Sequence, residues 1–221
     1  MVQKTRPYLT TAVCWAAIIC LGGFVKLTSW PSAPETSTTL DGQALACFFA
    51  IRSPTLDRVF MALTWTGANV LLLPLTVALS LKLLTARQPR AAIFLASATV
   101  GASLLINLGK HLIARPRPHL FPALIDMPSG HSFPSGHAAQ ITAFVLAGLW
   151  LLKRSMAAPW FATTATAGGG LIVLVSLSRL YLQVHYPSDV LAGVLTATLW
   201  VIGLAHLIMA PAAPNTSTRN Q

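Results

Sequence analysis

Long apolar runs separated by short polar intervals make up most of the chain, over about Leu9–Leu27, Leu56–Leu84, Ala91–Gly109, Ala138–Leu152, Trp160–Tyr181 and Pro187–Met209. A helix that crosses a bilayer needs about 20 mostly apolar residues. The pattern therefore predicts an all-α polytopic membrane bundle of six transmembrane helices. Pro74 falls inside the second run and predicts a kink. Gly168-Gly169-Gly170 in the fifth suits close helix packing, because small residues let backbones approach in lipid. Leu40–Ile51 is short enough to lie at the interface. The Ser-, Thr- and Pro-rich stretch Thr28–Thr39 reads as a loop, and 210–221 as a disordered polar tail. The expectation is one integral membrane domain over 1–221, with no room for a separate soluble domain.

The first run follows Lys4 and Arg6. It exceeds a usual signal-peptide core and no small-x-small cleavage site follows it, so it reads as a retained anchor. With 54% hydrophobic and 9% charged residues, against roughly 25% charged in a soluble domain, neither a soluble nor a disordered protein fits. A net charge of +10 would suggest nucleic acid in a soluble protein. Here the basic residues lie between apolar runs, so they report topology and anionic-lipid contact, and no nucleic-acid partner is expected. Cys14, Cys20 and Cys47 have no metal-ligand spacing and imply no disulfide framework.

Six spans put both termini on one side. With the N-terminus in the cytoplasm, Lys4, Arg6, Lys82, Arg87, Arg90, Lys153, Arg154 and Arg219 lie inside, and all five acids, Glu35, Asp41, Asp57, Asp126 and Asp189, lie outside. The Lys/Arg distribution favours that orientation in the cell (inner) membrane. The loop Lys110–His137 and the loop Leu182–Asp189 then face the outside, or periplasm.

Ionisable groups beside apolar spans are costly and point to function. Here they cluster: Lys110, Arg115, Arg117, His119, His131 and His137 in one outer loop, Arg179, His185 and Asp189 at the other. Fixed cations, imidazoles near neutral pKa and one orienting carboxylate are what phosphate chemistry requires.

Three strings sharpen this. Lys110 is followed after six residues by Arg117-Pro118; Pro134-Ser135-Gly136-His137 opens the fourth run; Ser178-Arg179 precedes His185 by five intervening residues and Asp189 by three more. Together and in this order they resemble the type 2 phosphatidic acid phosphatase (PAP2) family, which shares a core with bacterial acid phosphatases and vanadium haloperoxidases. The resemblance is close over about 104–193 and extends beyond only in hydropathy.

The residues also read on their own chemistry. Lys110 and Arg117 are close to two helical turns apart and could face one anion; the bland reading makes them interfacial anchors, the more so for Arg115, which lies outside the motif. Ser135 and Gly136 open a helix whose free N–H groups can cradle an anion, or Ser135 is an ordinary N-cap beside a satisfied histidine. Asp189 can orient His185 or simply favour a helix start. Pro128-Ser129-Gly130-His131 repeats the second string six residues earlier. Only the later copy passes straight into an apolar helix, so the site is assigned to it and His131 reads as a loop or rim residue. His111, His119, His206 and the six tryptophans take structural readings.

The resemblance implies a phosphatase that works without metal or cofactor. His185 would attack phosphorus, Asp189 orient it and His137 protonate the leaving oxygen, while Lys110, Arg117, Ser135, Gly136 and Arg179 bind the phosphate. The membrane setting implies a lipid phosphate substrate, with undecaprenyl diphosphate, converted to undecaprenyl phosphate, the best fit. Phosphatidic acid, phosphatidylglycerol phosphate and a lipid A phosphate are alternatives, for a phosphatase or a phosphotransferase. A membrane metalloenzyme would need histidine and carboxylate clusters that the spacing lacks. A carrier for anionic lipid or phosphate would need the cations but no His–Asp pair.

Overall fold

The computed structural model describes residues 10–19 and 39–209. Parts of the expectations fall outside these residues: the remainder of the first apolar run with Cys20, the loop up to residue 38, the tail, and the charges at Lys4, Arg6, Glu35 and Arg219. Among the described residues every regular element is a helix: α1 Thr10–Ile19, α2 Leu40–Ala50, α3 Pro54–Trp65, α4 Asn69–Thr85, α5 Pro89–Ile113, α6 Gly136–Leu152, α7 Ala158–Tyr181 and α8 Pro187–Ile208. α3, α5, α7 and α8 carry proline in their first turn, where a missing N–H has no intrahelical partner to lose. Thr39 and Ser53 cap α2 and α3, accepting from Gly42 N at 3.1 Å and Leu56 N at 3.4 Å.

Four stretches are long and apolar enough to cross a membrane: Pro54–Thr85, Pro89–Ile113, Ala158–Tyr181 and Pro187–Ile208. They correspond to four of the six expected spans. The described part of α1 and the 17-residue α6 are shorter; at about 1.5 Å per residue α6 covers about 25 Å, against a hydrocarbon core of about 30 Å.

The second expected run is divided. α3 ends at Thr66, whose hydroxyl donates to Leu63 O at 2.7 Å, and α4 starts after Gly67-Ala68. A Cβ on Gly67 would lie 2.5 Å from Val175 Cγ1 and 3.1 Å from His137 O, so the break brings this corner against α6 and α7. Pro74 does not end α4, which runs through it.

Burial follows the logic of a lipid solvent. Val70, Val77, Leu81, Leu104, Leu108 and Leu191 are exposed, whereas the interior is built on Ala98, Ala102, Ala139, Ala143, Ala147, Ala197 and Ala205 around Phe94, Leu95, Ile106 and Val201. Hydrocarbon does not penalise an outward leucine, so helices associate through small residues that permit close packing. α6 is central and touches α4, α5, α7 and α8. Of the glycine triplet only Gly168 makes the close approach, its absent Cβ standing 2.7 Å from Val145 Cγ1; Gly169 and Gly170 face open space.

The acids gather at one end. Asp41, Asp57, Asp126 and Asp189 lie at the end formed by the starts of α2, α3, α6 and α8, together with Arg52, Arg58, Lys110, Arg115, Arg117 and Arg179, whereas Lys82, Arg87, Arg90, Lys153 and Arg154 lie at the opposite end with no acid among the described residues. The protein is a multi-pass, all-helical membrane bundle.

Candidate active site

The site forms where the C-termini of α5 and α7 meet the N-termini of α6 and α8. α5 stops at Ala114, which adopts the left-handed conformation at φ 52° and donates its N–H to Lys110 O at 2.9 Å. Arg117 therefore lies beyond the helix. It reaches the site from the irregular Pro116-Arg117-Pro118 segment, and Lys110 and Arg117 do not share two helical turns. Arg117 is buried: Nε donates to Gly130 O at 3.1 Å and Nη1 to Val184 O at 2.8 Å, with the same Nη1 3.4 Å from His185 Nε2.

The turn from α7 into α8 is held as firmly. Leu182, Gln183 and Val184 donate their N–H groups back to Ser178, Leu180 and Arg179, and Gln183 takes φ 61°, a conformation unfavourable for a residue with a side chain. Its side chain is anchored by donation from Nε2 to Leu45 O at 2.8 Å. This turn presents His185, 2% exposed, to Asp189, 0% exposed. Nδ1 of His185 faces Asp189 Oδ2 at 3.4 Å, and the same oxygen accepts from Tyr186 N at 2.9 Å. A carboxylate at Nδ1 favours the tautomer with the proton there, which leaves the Nε2 lone pair toward Arg117. Burial pushes the His185 pKa down to about 4; Asp189 opposes this, and the charges of Arg179 and Arg117 add to it. Burial also lowers the pKa of Arg117, with Asp189 opposing.

The Ser135-Gly136-His137 corner is tied to α8. Ser135 N donates to Asp189 O at 3.0 Å, and a Cβ on Gly193 would lie 2.5 Å from Ser135 O. The ordinary N-cap reading of Ser135 does not hold: its side chain makes no cap bond, and its fully buried Oγ has no partner among the described residues. Arg179 donates from Nη1 to Thr64 Oγ1 at 2.6 Å, while its buried Nε also lacks a described partner. The charges of Arg179, Arg117 and Lys110, together with His185, all act on His137.

Lys110, Arg117, Ser135, Gly136, His137, Arg179, His185 and Asp189 thus converge at one end of the bundle. The first Pro-Ser-Gly-His copy lies beside them. Lys110 Nζ donates to His131 O at 2.5 Å and Arg117 to Gly130 O, so its backbone carbonyls hold the two cations. His206 is far away at the other end, with Nδ1 2.8 Å from Ile202 O. Among the described residues no three His, Cys, Asp or Glu side chains form a set that could hold a metal ion.

Three participants escaped the sequence reading. Thr64 holds Arg179 across 115 residues of chain. Arg115, expected as an interfacial anchor, instead donates from Nη1 to Asp189 Oδ1 and Ser188 Oγ, each at 2.7 Å, and from Nη2 to Asp41 Oδ2 at 2.8 Å. Asp41 also accepts from Ser188 N at 3.1 Å and Ser188 Oγ at 2.5 Å. The available signal was the place of Arg115 between Lys110 and Arg117; nothing local marked Asp41 or Thr64.

The family model described as the PAP2 superfamily matches residues 91–211. The chain is 31% identical over 150 residues to a phosphatidylglycerophosphatase B of Bacillus subtilis, covering 65% of this chain and 70% of that one. It is 31% identical over 153 residues to an undecaprenyl-diphosphatase of Sulfolobus acidocaldarius, covering 67% and 66%. The crystal structure of a transmembrane PAP2 type phosphatidylglycerolphosphate phosphatase from Bacillus subtilis superposes with a TM-score of 0.72 at 24% identity, covering 90% of this chain and 95% of the other. That likeness is one of fold.

Proposed function

This chain belongs to the PAP2 superfamily, and from that premise we propose that it hydrolyses the phosphate or diphosphate group of a membrane lipid through a phosphohistidine intermediate. One observation carries the reading: Arg179 Nε and Ser135 Oγ are buried and unpartnered among the described residues, beside the His185–Asp189 pair and Arg117. A buried polar group left unpaired costs about 1–3 kcal/mol, and a tetrahedral oxyanion would recover it. Lys110, Arg115, Arg117 and Arg179 gather with Asp41 and Asp189 at the site, which leaves two positive charges over, the complement of a phosphoryl dianion.

In this reading His185 Nε2 attacks phosphorus while Asp189 keeps the proton on Nδ1. As the bond to the leaving oxygen breaks, His137, which takes up a proton once the bound phosphate anion offsets the cations around it, gives that oxygen its proton. Lys110, Arg117, Arg179, the Ser135 hydroxyl and the Gly136 N–H bind the non-bridging oxygens and stabilise their charge in the transition state. Water then attacks the phosphohistidine, His137 takes the water's proton, and inorganic phosphate leaves with the His185 imidazole restored. The scheme calls on no metal or cofactor.

The proposed topology has six crossings with both termini in the cytoplasm. The short connections opposite the site, which carry Lys82, Arg87, Arg90, Lys153 and Arg154, support it, since short positive loops stay inside; at the site end Lys110, Arg115, Arg117 and Arg179 are committed to the pocket, and this topology turns the site outward. Undecaprenyl diphosphate, released on that face during envelope polymer synthesis, is the favoured substrate, with a relative named for that activity in support. The pocket reads phosphate and not tail, so the other lipid phosphates are outcomes of the test. Purified full-length protein in detergent, offered a panel of lipid phosphates and diphosphates, should release inorganic phosphate, most of it from undecaprenyl diphosphate. Absence of release from the whole panel, or equal function in His185→Ala, overturns the phosphatase reading, and the latter points to a carrier.

A further inference from the structure

Arg115 and Asp41 lie outside the three sequence strings, yet Arg115 pairs with the carboxylate that faces His185 and Asp41 pairs with Arg115. The two oxygens of Asp189 are used differently. Oδ2 serves His185 and the Tyr186 N–H, and Oδ1 is taken by Arg115. The Arg115 guanidinium is itself fixed on every side: Ser188 Oγ and Asp41 hold its two terminal nitrogens, and the Tyr186 ring lies 3.9 Å from its carbon. Asp41 is held in turn by the N–H and hydroxyl of Ser188. A planar guanidinium shared between two carboxylates fixes the plane of each, which a lysine ammonium could not do. A carboxylate as buried as Asp189 also needs a countercharge to remain ionised.

We propose that Arg115 and Asp41 are positioning residues for the phosphoryl transfer: Arg115 clamps Asp189, Asp41 pins Arg115, and together they set the plane and the effective charge that Asp189 presents to His185. The proposal rests on the phosphohistidine reading above. It also gives α2 a role, because Asp41 in its first turn joins the Leu45 carbonyl that anchors Gln183 in tying that helix to the site.

The clamp has an electrostatic signature. The charged and titratable groups that face the His185–Asp189 pair are Asp41 on α2, Lys110 on α5, Arg115 and Arg117 on the α5–α6 loop, His137 on α6 and Arg179 on α7. Without Arg115 the full charge of Asp189 acts on the imidazole and favours its protonation. Without the charge on Asp41, Arg115 compensates Asp189 more completely and disfavours it. The two removals shift His185 in opposite directions, which general loosening of the fold would not do.

The test uses full-length protein in detergent with histidines labelled with 15N. The His185 imidazole signals are assigned by their loss in His185→Gln, and kcat and KM are measured on the best lipid phosphate of the panel. Arg115→Ala should move the His185 titration upward and lower kcat about 100-fold with little change in KM, the scale of a misplaced catalytic group. Asp41→Asn should move the titration downward and lower kcat less. Arg115→Lys should restore the titration but only part of kcat, because charge returns without the planar fork. An unmoved titration in both Arg115→Ala and Asp41→Asn, or effects confined to KM, overturns the clamp. If Arg115→Ala does not fold, Asp41→Asn and Arg115→Lys carry the same decision. Opposite shifts in the two variants, alongside a wild type that releases no phosphate from any lipid of the panel, would support the clamp and overturn the phosphatase reading.

Discussion

Arg117 Nη1 lies 3.4 Å from His185 Nε2, the ring nitrogen turned away from Asp189. A guanidinium in that position disfavours a proton on that nitrogen. In the proposed mechanism the imidazole is then ready as a nucleophile before any substrate arrives, with Arg117 beside it to meet a phosphoryl oxygen.

The first prediction concerns pH. The folded His185 pKa is pushed down to about 4, whereas an unfolded histidine titrates near 6.5. Between those values the unfolded chain binds more protons. The stabilising contribution is thus complete above about pH 6.5 and is lost as pH falls toward 4, on the order of 3 kcal/mol at about 1.4 kcal/mol per unit. The thermal denaturation midpoint in detergent should fall across that window in the wild type and fall less in His185→Gln. Identical slopes in the two proteins would refute this.

The second separates the two Pro-Ser-Gly-His copies. His137→Ala should lower kcat by about 100-fold or more, the usual scale of a lost general acid. His131→Ala should retain most activity, because the described contribution of His131 is its backbone carbonyl on Lys110. Phosphate release from the two variants side by side decides it, and a reversed order would move the acid role to the first copy.

A third prediction tests the contact between α8 and the Ser135 corner. Gly193→Ala puts a Cβ 2.5 Å from a backbone oxygen, which cannot rotate away, so a loss of about 1–3 kcal/mol is expected, together with lower activity. Gly169→Ala meets open space and should be neutral or slightly stabilising through helix propensity. Denaturation midpoints for the pair provide the check, and equal midpoints would mean that the corner yields.

The fourth addresses Thr64. Thr64→Val keeps the shape but removes the oxygen that accepts from Arg179 Nη1 at 2.6 Å, leaving a buried guanidinium N–H unpaired at a cost of about 1–3 kcal/mol. Activity should fall, and Thr64→Ser should restore it. Failure of serine to rescue would show that the hydroxyl is not what matters.

Much of this was legible in the chain because it is local chemistry. Apolar runs mark helices in lipid wherever they pack, and four of the six runs are long enough to cross on composition and length alone. Pro116, Pro118 and Pro187 marked where helices stop and start. The three strings carried a compact set of cations, imidazoles and a carboxylate whose expected partners proved to be spatial neighbours. Less was legible where backbone geometry departs from a straight helix: the break at Gly67 within the second run, and the left-handed Ala114 that takes Arg117 off the helix.

The sequence alone thus determined the solvent, the helical class and the kind of charge gathered near the loops, since these follow from composition and periodicity. Only the tertiary structure decided which cation serves which group: Arg115 with Asp41 and Asp189, Arg117 with His185, Arg179 with Thr64. Those pairings join residues 68 to 115 positions apart. No local pattern encodes them, because the direction of each guanidinium is set by the helices that close around it.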